Sequence, residues 1–229
     1  MRRAFVSTSV ACAFALASAT AGAAVLYQQV GLETGERGAY SDSCQQIADE
    51  FVPLSSGTVT NVAWQGSYYG TDNPNATESF TIRFFADAGG VPASSHFFQI
   101  SALASKAAAG TLIGKTLYSY ALTIPGGPSL SAGTTYWIAI NTNEPCGNYA
   151  WAGSTDGPAT GFLVFRSGDL GSWNQSPEPL RDDHVFTLNA DTTVVVTPTQ
   201  VPVPLLAPGA LAFLALLVGG VAALRLRSR

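Results

Sequence analysis

The chain has 229 residues, and 11 Lys and Arg side chains face 15 Asp and Glu, which gives a formal net charge of −4. Five of those cations, Arg2, Arg3, Arg225, Arg227 and Arg229, lie at the two ends, so the region between carries six cations against all 15 acids, a net charge of −9. Such a surface repels phosphate backbones and disfavours DNA or RNA as a partner. The charged fraction is only 11 %, against the usual ~25 %, as expected of a secreted β-protein.

The N-terminus has the three parts of a secretory signal peptide. A start that carries two arginines is followed by the apolar run Ala4–Leu16 and by the small-residue site Ala21–Ala23. The apolar run is too short and too rich in alanine to serve as a membrane anchor. We therefore predict that residues 1–23 are a signal peptide cut after Ala23, with Ala19–Ala21 as the alternative site, and that the protein is exported.

Residues 24–190 show the period-two alternation of β-strands, interrupted by turns rich in Gly, Pro, Asn and Ser. Only Ala102–Ala109 could pass for a helix, and this stretch is too short and too closely flanked by strand patterns. We predict one all-β domain, an antiparallel β-sandwich of jelly-roll type with about seven to nine short strands. The residues that share strand faces are Val62 and Trp64, then Phe80, Ile82 and Phe84, then Tyr118, Tyr120, Leu122 and Ile124, then Tyr136, Ile138 and Ile140, then Phe162 and Val164, and finally Phe186 and Leu188.

Four of these stretches also carry a family resemblance. The segments Ile47–Phe51, Val62–Tyr68, Phe80–Asp87 and Gly133–Ile140 resemble β-sandwich ectodomains of bacterial surface proteins. They are strand patterns rather than catalytic motifs, so the resemblance implies a fold and a setting without implying a reaction.

The cysteine count fits an oxidising compartment. Cys12 leaves with the signal peptide, so Cys44 and Cys146 remain. We predict a disulfide between them, which would stabilise the domain by about 4 kcal/mol in the chain-entropy treatment of loop closure. Two free thiols and a metal-binding pair are the alternatives, although neither cysteine has a histidine near it in sequence.

Sequence motifs of the common enzyme classes do not occur in this chain. It has no G-x-S-x-G, no H-E-x-x-H, no P-loop and no G-x-G-x-x-G. Asp49 and Glu50 are the obvious carboxylate pair, but consecutive residues of a strand point to opposite faces. We predict a non-enzymatic protein, with a secreted hydrolase as the enzymatic alternative.

Two acidic stretches could supply metal ligands. Asp182, Asp183 and His184 are consecutive at the start of a predicted strand, so they cannot converge on one ion without a bend, and a solvated loop is favoured. Asp72, Asn73 and Asn75 offer oxygen ligands for Ca²⁺ but lack the alternating order of a dedicated loop. We predict no metal and no other cofactor.

Large aromatic side chains are the main indication of binding. Trp64 shares a face with Val62 and is expected in the core, whereas Tyr69, Trp137, Trp151 and Trp173 are candidates for stacking on a sugar ring. Trp137 alternates against Tyr136 and Ile138, so it is expected to face outward, and the other three are expected in or beside loops. These four residues form the candidate glycan site.

The C-terminal region changes composition twice. Residues 191–204 are rich in Thr and Pro and predict an extended linker. Residues 205–224 carry no charged side chain and are long enough to cross a bilayer as a helix. Arg225, Arg227 and Arg229 then place the short tail, residues 225–229, in the cytoplasm and act as the membrane stop.

This tail resembles the PEP-CTERM sorting signal of exported Gram-negative bacterial proteins. The order of a Pro motif, an apolar helix and a basic cluster matches, and the motif is Val201-Pro202-Val203-Pro204, with Val203 where the family usually has Glu. The resemblance covers residues 201–229 and implies recognition and cleavage by an exosortase, a membrane-embedded cysteine protease of the transpeptidase type. Exosortase systems accompany polysaccharide export, so exopolysaccharide is the implied neighbour.

These features together predict an exported protein of the cell surface or extracellular matrix. It would be held in the inner membrane by its C-terminal helix, then released to the surface or the medium by processing. The β-sandwich is expected to have a structural or adhesive role, with a carbohydrate-binding module that recognises exopolysaccharide as the alternative function.

Overall fold

The structure is a computed structural model that describes residues 23–36, 38–70, 78–157, 162–168, 171–176 and 183–191. Within this part of the chain the regular elements are all β-strands, and no helix there is long and apolar enough to cross a membrane. Several predicted features lie outside the described residues, namely the signal peptide up to residue 22, the Ca²⁺ candidates at 72, 73 and 75, Asp182, the linker from residue 192, the apolar segment 205–224 and the basic tail.

The described residues form fourteen strands, more than the predicted number. Strands of two or three residues are too short for an alternating pattern, which explains the difference. Ala102–Ala109 contains the end of one strand and part of the next, not a helix. The strands are β1 (Ala23–Gln29), β2 (Ala39–Tyr40), β3 (Gln45–Phe51), β4 (Gly57–Tyr68), β5 (Phe80–Ala86), β6 (Phe98–Ala102), β7 (Ser105–Leu112), β8 (Lys115–Thr123), β9 (Ser129–Leu130), β10 (Tyr136–Thr142), β11 (Tyr149–Trp151), β12 (Leu163–Ser167), β13 (Asn174–Ser176) and β14 (Phe186–Asp191).

The long strand β4 is the centre of an eight-stranded antiparallel sheet. Along one side it pairs with β14 over Val59–Trp64 and with β11 over Gly66–Tyr68, so β14 and β11 lie end to end. Along its other side it pairs with β8 and β9. Strands β1, β2 and β7 extend the sheet by pairing with β14, β11 and β8.

The second sheet has six antiparallel strands in the order β13-β12-β3-β10-β5-β6. Its inward residues pack against those of the eight-stranded sheet, and ring contacts join the two layers. The ring centroid of Phe51 in β3 lies 5.9 Å from that of Phe186 in β14, and the ring centroid of Trp64 in β4 lies 5.0 Å from that of Phe80 in β5. The predicted antiparallel, all-β, sandwich-like fold is therefore confirmed, and jelly-roll connectivity stays a prediction.

The outer face of the six-stranded sheet carries a second, smaller core. Phe85, Trp137 and Val164 are buried there, with Trp173 packed against them. The loop 87–97, between β5 and β6, folds over this face and contacts the β12–β13 hairpin. At this contact the indole N–H of Trp173 donates to the carbonyl oxygen of Ala93 at 3.3 Å. The sheet is thus covered on both faces.

The disulfide between Cys44 and Cys146 is confirmed, with a sequence separation of 102 and a Cα–Cα distance of 5.2 Å. It joins the loop before β3 to the loop between β10 and β11. The Asp42 carboxylate, only 1 % exposed, ties the same two loops by accepting hydrogen bonds from the backbone N–H groups of Cys44 at 3.0 Å and Gly147 at 2.6 Å. The free-thiol and metal-pair alternatives do not apply to this structure.

Candidate functional site

Two of the four predicted sugar-stacking rings are buried. Trp137 is 1 % exposed and Trp151 is 0 % exposed, so neither ring can meet a ligand in this structure. The expectation that Trp137 faces solvent is wrong, although alternation placed it on the correct face, opposite Ile138. The outer face is covered by loop 87–97, and the Trp137 indole donates a hydrogen bond to Asp87 Oδ1 at 2.9 Å.

Trp151 lies between the two sheets rather than beside a loop. It belongs to β11, and its indole N–H donates to the carbonyl oxygen of Val185 at 2.9 Å. Its ring centroid lies 4.7 Å from that of His184 and 5.8 Å from that of Phe186. Trp151 therefore joins β11 to the segment that leads into β14, which is a packing role.

Tyr69 is partly buried at the end of β4. Its ring packs 4.5 Å from the ring of Tyr40, and its hydroxyl donates to the carbonyl oxygen of Gly38 at 3.3 Å. Tyr40 is 38 % exposed, so the pair forms a small aromatic surface.

Trp173 borders a cleft. A cleft of about 270 Å³, here called the Trp173 cleft, lies between loop 87–97 and the β12–β13 hairpin. The ring is held in place by an edge-on contact with Phe85 at 5.3 Å and by the Arg166 guanidinium at 4.5 Å. The residues that line the cleft are Val91, Pro92, Ser94, Gly171, Ser172 and Trp173.

The chemistry of the Trp173 cleft suits an uncharged polar ligand. Its apolar surface comes from an indole, a proline and a valine, and its hydroxyls come from Ser94 and Ser172. None of these lining residues is ionisable. Arg166 is 3 % exposed and is bound to Gln46 Oε1 at 2.9 and 3.1 Å, so it supports the ring rather than presenting a charge. Sugar rings combine apolar faces with hydroxyls, and this lining is complementary to both.

Asp87 holds the loop that forms one wall of this cleft. It accepts hydrogen bonds from the backbone N–H groups of Gly89 at 3.1 Å and Gly90 at 3.0 Å, besides the one from Trp137. Desolvation raises the pKa of Asp87, but the hydrogen bonds from Trp137, Gly90, Gly89 and Ala88 outweigh it, so the pKa lies below its ordinary value.

His184 lies in the interior, and the expected solvated loop is therefore wrong at this position. It is 0 % exposed, its backbone N–H donates to Asp49 Oδ2 at 2.6 Å, and its Nδ1 lies 3.5 Å from the same oxygen. Gln29 donates to that carboxylate as well, at 3.0 Å. Asp49 thus points between the sheets while Glu50 is partly exposed, as alternation predicts. Within the described ranges no three His, Cys, Asp or Glu side chains are grouped to hold a metal ion.

A cluster that the sequence does not reveal lies at the edge of the sandwich. Lys106 Nζ lies 3.2 Å from Glu78 Oε2 and 3.2 Å from the hydroxyl oxygen of Tyr68. The same ammonium lies 4.1 Å from the ring centroid of Tyr118, 4.6 Å from that of Tyr68 and 5.4 Å from that of Tyr120. These five residues are called the lysine cage below. Only the Tyr118–Tyr120 alternation was visible in the sequence.

Hydroxyl groups connect the members of the lysine cage. The Tyr68 hydroxyl donates to Glu78 Oε1 and lies 2.8 Å from the Tyr120 hydroxyl. Tyr68 is 0 % exposed and Tyr120 is 2 % exposed, and this burial first of all raises the pKa of both phenols well above the ordinary value. Both hydroxyls therefore stay protonated and able to donate over the physiological range.

Burial acts on the two charged partners in opposite directions. Desolvation raises the pKa of Glu78 more than its hydrogen bonds with Tyr68 and Lys106 lower it. Desolvation also lowers the pKa of Lys106 more than the attraction of Glu78 raises it. Both shifts favour the uncharged acid and the uncharged amine relative to the same groups in water.

Searches of family models, curated proteins and solved structures return no match to this chain. Roles for its side chains must therefore come from their geometry and chemistry. The Trp173 cleft is open to a ligand, whereas the lysine cage is largely closed.

Proposed function

We propose that this chain is an exported, non-enzymatic protein of the cell surface or extracellular matrix, with a structural or adhesive β-sandwich. The observation that carries the proposal is the Cys44–Cys146 disulfide, because such bonds persist in oxidising compartments and are rare in the cytosol. The signal-peptide pattern of residues 1–23 and the acidic balance of the domain support the same setting.

The C-terminal segment completes this proposal. Residues 205–224 would hold the protein in the inner membrane, with Arg225, Arg227 and Arg229 as the stop on the cytoplasmic side. An exosortase-like enzyme would then cut at Val201–Pro204 and release the β-sandwich to the surface or the medium. The partners in this scheme are the membrane and the processing enzyme.

Intact mass and terminal peptide mapping of the protein from its native host test this scheme. We expect an N-terminus at Ala24 and a C-terminus within Val201–Pro204. A chain that retains residues 1–23 in the cytoplasm would refute export. A chain that starts at Ala24 and ends at Arg229 would instead refute processing and leave a single-pass membrane protein.

The Trp173 cleft favours a second candidate function, the binding of exopolysaccharide. Sugar rings stack on indoles, and the cleft adds two hydroxyls and no ionisable lining residue. A site of about 270 Å³ is near the lower end of ligand pockets, so it would take a single terminal or branch sugar. We therefore expect binding to a neutral glycan rather than to a charged one.

Retention on columns of neutral and acidic exopolysaccharide tests this function. We expect Ser94→Ala with Ser172→Ala to reduce retention about tenfold while the fold is preserved, since each lost hydrogen bond costs about 0.5–1.5 kcal/mol. Trp173→Ala should abolish retention. The control is Phe162→Ala, because Phe162 is 42 % exposed and is not part of the cleft lining. Lack of retention by the native protein, or equal retention by all variants, would eliminate the glycan site.

A further inference from the structure

We propose that Lys106 and Glu78 form an intramolecular amide bond, which converts the ion pair of the lysine cage into a covalent cross-link. Lys106 Nζ lies 3.2 Å from Glu78 Oε2, and the two side chains are 22 % and 7 % exposed. Nothing in this proposal depends on export, processing or glycan binding. It would add a modification site at a position that no sequence motif marks.

The two residues belong to different sheets. Glu78 lies just before β5 of the six-stranded sheet, and Lys106 lies on β7, which pairs only with β8 at the edge of the eight-stranded sheet. An amide between them would close the sandwich along this edge, at a sequence separation of 28. An exposed edge strand is where a sandwich opens most easily, so the location suits a cross-link.

The lysine cage fixes the amine against the carboxyl group. Three tyrosine rings surround Nζ, and the Tyr68 hydroxyl accepts a hydrogen bond from it at 3.2 Å. Effective molarities of well-oriented intramolecular reactions reach roughly 10⁵–10⁸ M. Such proximity favours a condensation that is unfavourable between free acids and amines in water.

Burial also shifts both groups toward the protonation states that amide formation requires. The nucleophile must be the uncharged amine, and the acid reacts in its uncharged form because a carboxylate is a poor electrophile. The pKa of Lys106 is lowered and that of Glu78 is raised, in both cases chiefly by desolvation. The charge of Glu144, which is 3 % exposed, raises the pKa of both groups, so it favours the uncharged acid of Glu78 and opposes the uncharged amine of Lys106.

The step balances without any co-reactant. Nζ attacks Cδ of the protonated Glu78 and the N–C bond forms; one amine proton passes to the Tyr68 oxygen while the Tyr68 hydroxyl proton passes to Oε1. The Cδ–Oε1 bond then breaks, and Oε1 leaves as water with this proton and the original acid proton. Oε2 becomes the amide oxygen, and Tyr68 is restored, as its contacts with both partners allow.

Mass spectrometry of the mature protein tests the proposal directly. We expect an intact mass lower by one water than the processed sequence, after correction for the disulfide. The chain has two lysines, Lys106 and Lys115. Trypsin should therefore cut after Lys115 but not after Lys106, and one peptide should contain both Glu78 and Lys106. A full mass with complete cleavage after Lys106 would overturn the proposal.

Two variants assign the chemistry to these residues. Lys106→Arg keeps the positive charge but cannot form the amide, so it should show the full mass, whereas the matched control Lys115→Arg should still lack one water. Tyr68→Phe keeps both reacting groups and removes the proton carrier, so cross-linking should be slowed at least tenfold after refolding. If Lys106→Arg also lacked one water, the loss would lie elsewhere in the chain and the assignment to Lys106 would be refuted.

Discussion

Replacement of Trp137 by Ala tests whether the outer face of the six-stranded sheet is a true second core. The side chain is 1 % exposed, packs with Phe85 and Val164, and donates a hydrogen bond to Asp87 at 2.9 Å. Truncation of a buried Trp to Ala lowers the unfolding free energy by about 3–5 kcal/mol, whereas a substitution at the surface changes it by no more than about 0.5 kcal/mol. At about 2–4 °C per kcal/mol for a domain of this size, we expect the Tm to fall by roughly 6–20 °C.

Urea unfolding of the purified protein, followed by far-UV circular dichroism, measures this loss without relying on tryptophan emission. Phe162→Ala is the matched control, because Phe162 is a large ring that is 42 % exposed. Its unfolding free energy should change by no more than about 0.5 kcal/mol. A Trp137→Ala loss as small as that of the control, at an unchanged m-value, would refute the second core and restore the sequence-based expectation of an exposed ring.

Three further predictions concern stability. Cys44→Ser with Cys146→Ser should lower the unfolding free energy by about 2–5 kcal/mol, measured by urea titration against the oxidised protein, and equal stability would contradict it. Because the pKa of Asp87 lies below its ordinary value of 3.8, the ionised carboxylate contributes fully to the unfolding free energy above pH 3.8. This contribution is lost as the pH falls below that value. Asp87→Asn should flatten this acid loss in thermal scans at pH 2–5, and an unchanged slope would contradict it. Gly38→Ala should lower the Tm more than Gly89→Ala does. Both glycines have positive φ, but only at Gly38 would the added methyl group overlap the backbone of β11. Equal Tm values for the two variants would contradict this.

The faces of the long strands could be predicted from the sequence. Tyr136, Ile138 and Ile140 pack into the main core and Trp137 lies on the other side of β10, as period-two alternation requires. Alternation fixes the face of the sheet to which each side chain points, because successive side chains of a strand point to opposite faces. It does not reveal what lies beyond a face, so the burial of Trp137 under loop 87–97 was not predictable.

The disulfide could also be predicted, whereas the lysine cage could not. The two cysteines that follow the predicted signal peptide allow one pairing, so the count favoured Cys44–Cys146 over free thiols or a metal pair. Glu78, Tyr68 and Lys106 come from three separate segments with no common spacing, and acids and lysines usually lie at the surface. Their meeting depends on how the edge strand β7 is laid beside the start of β5.

The sequence by itself determined the class of this protein: all-β, antiparallel, acidic between its ends and joined by one disulfide. These features follow from local periodicity and composition, which act over a few residues. Tertiary structure alone decided which aromatic rings reach solvent, that Trp173 borders a cleft, and where Lys106 and Glu78 meet. Those outcomes depend on contacts between distant segments, and burial at those contacts shifts the pKa values of Glu78 and Lys106.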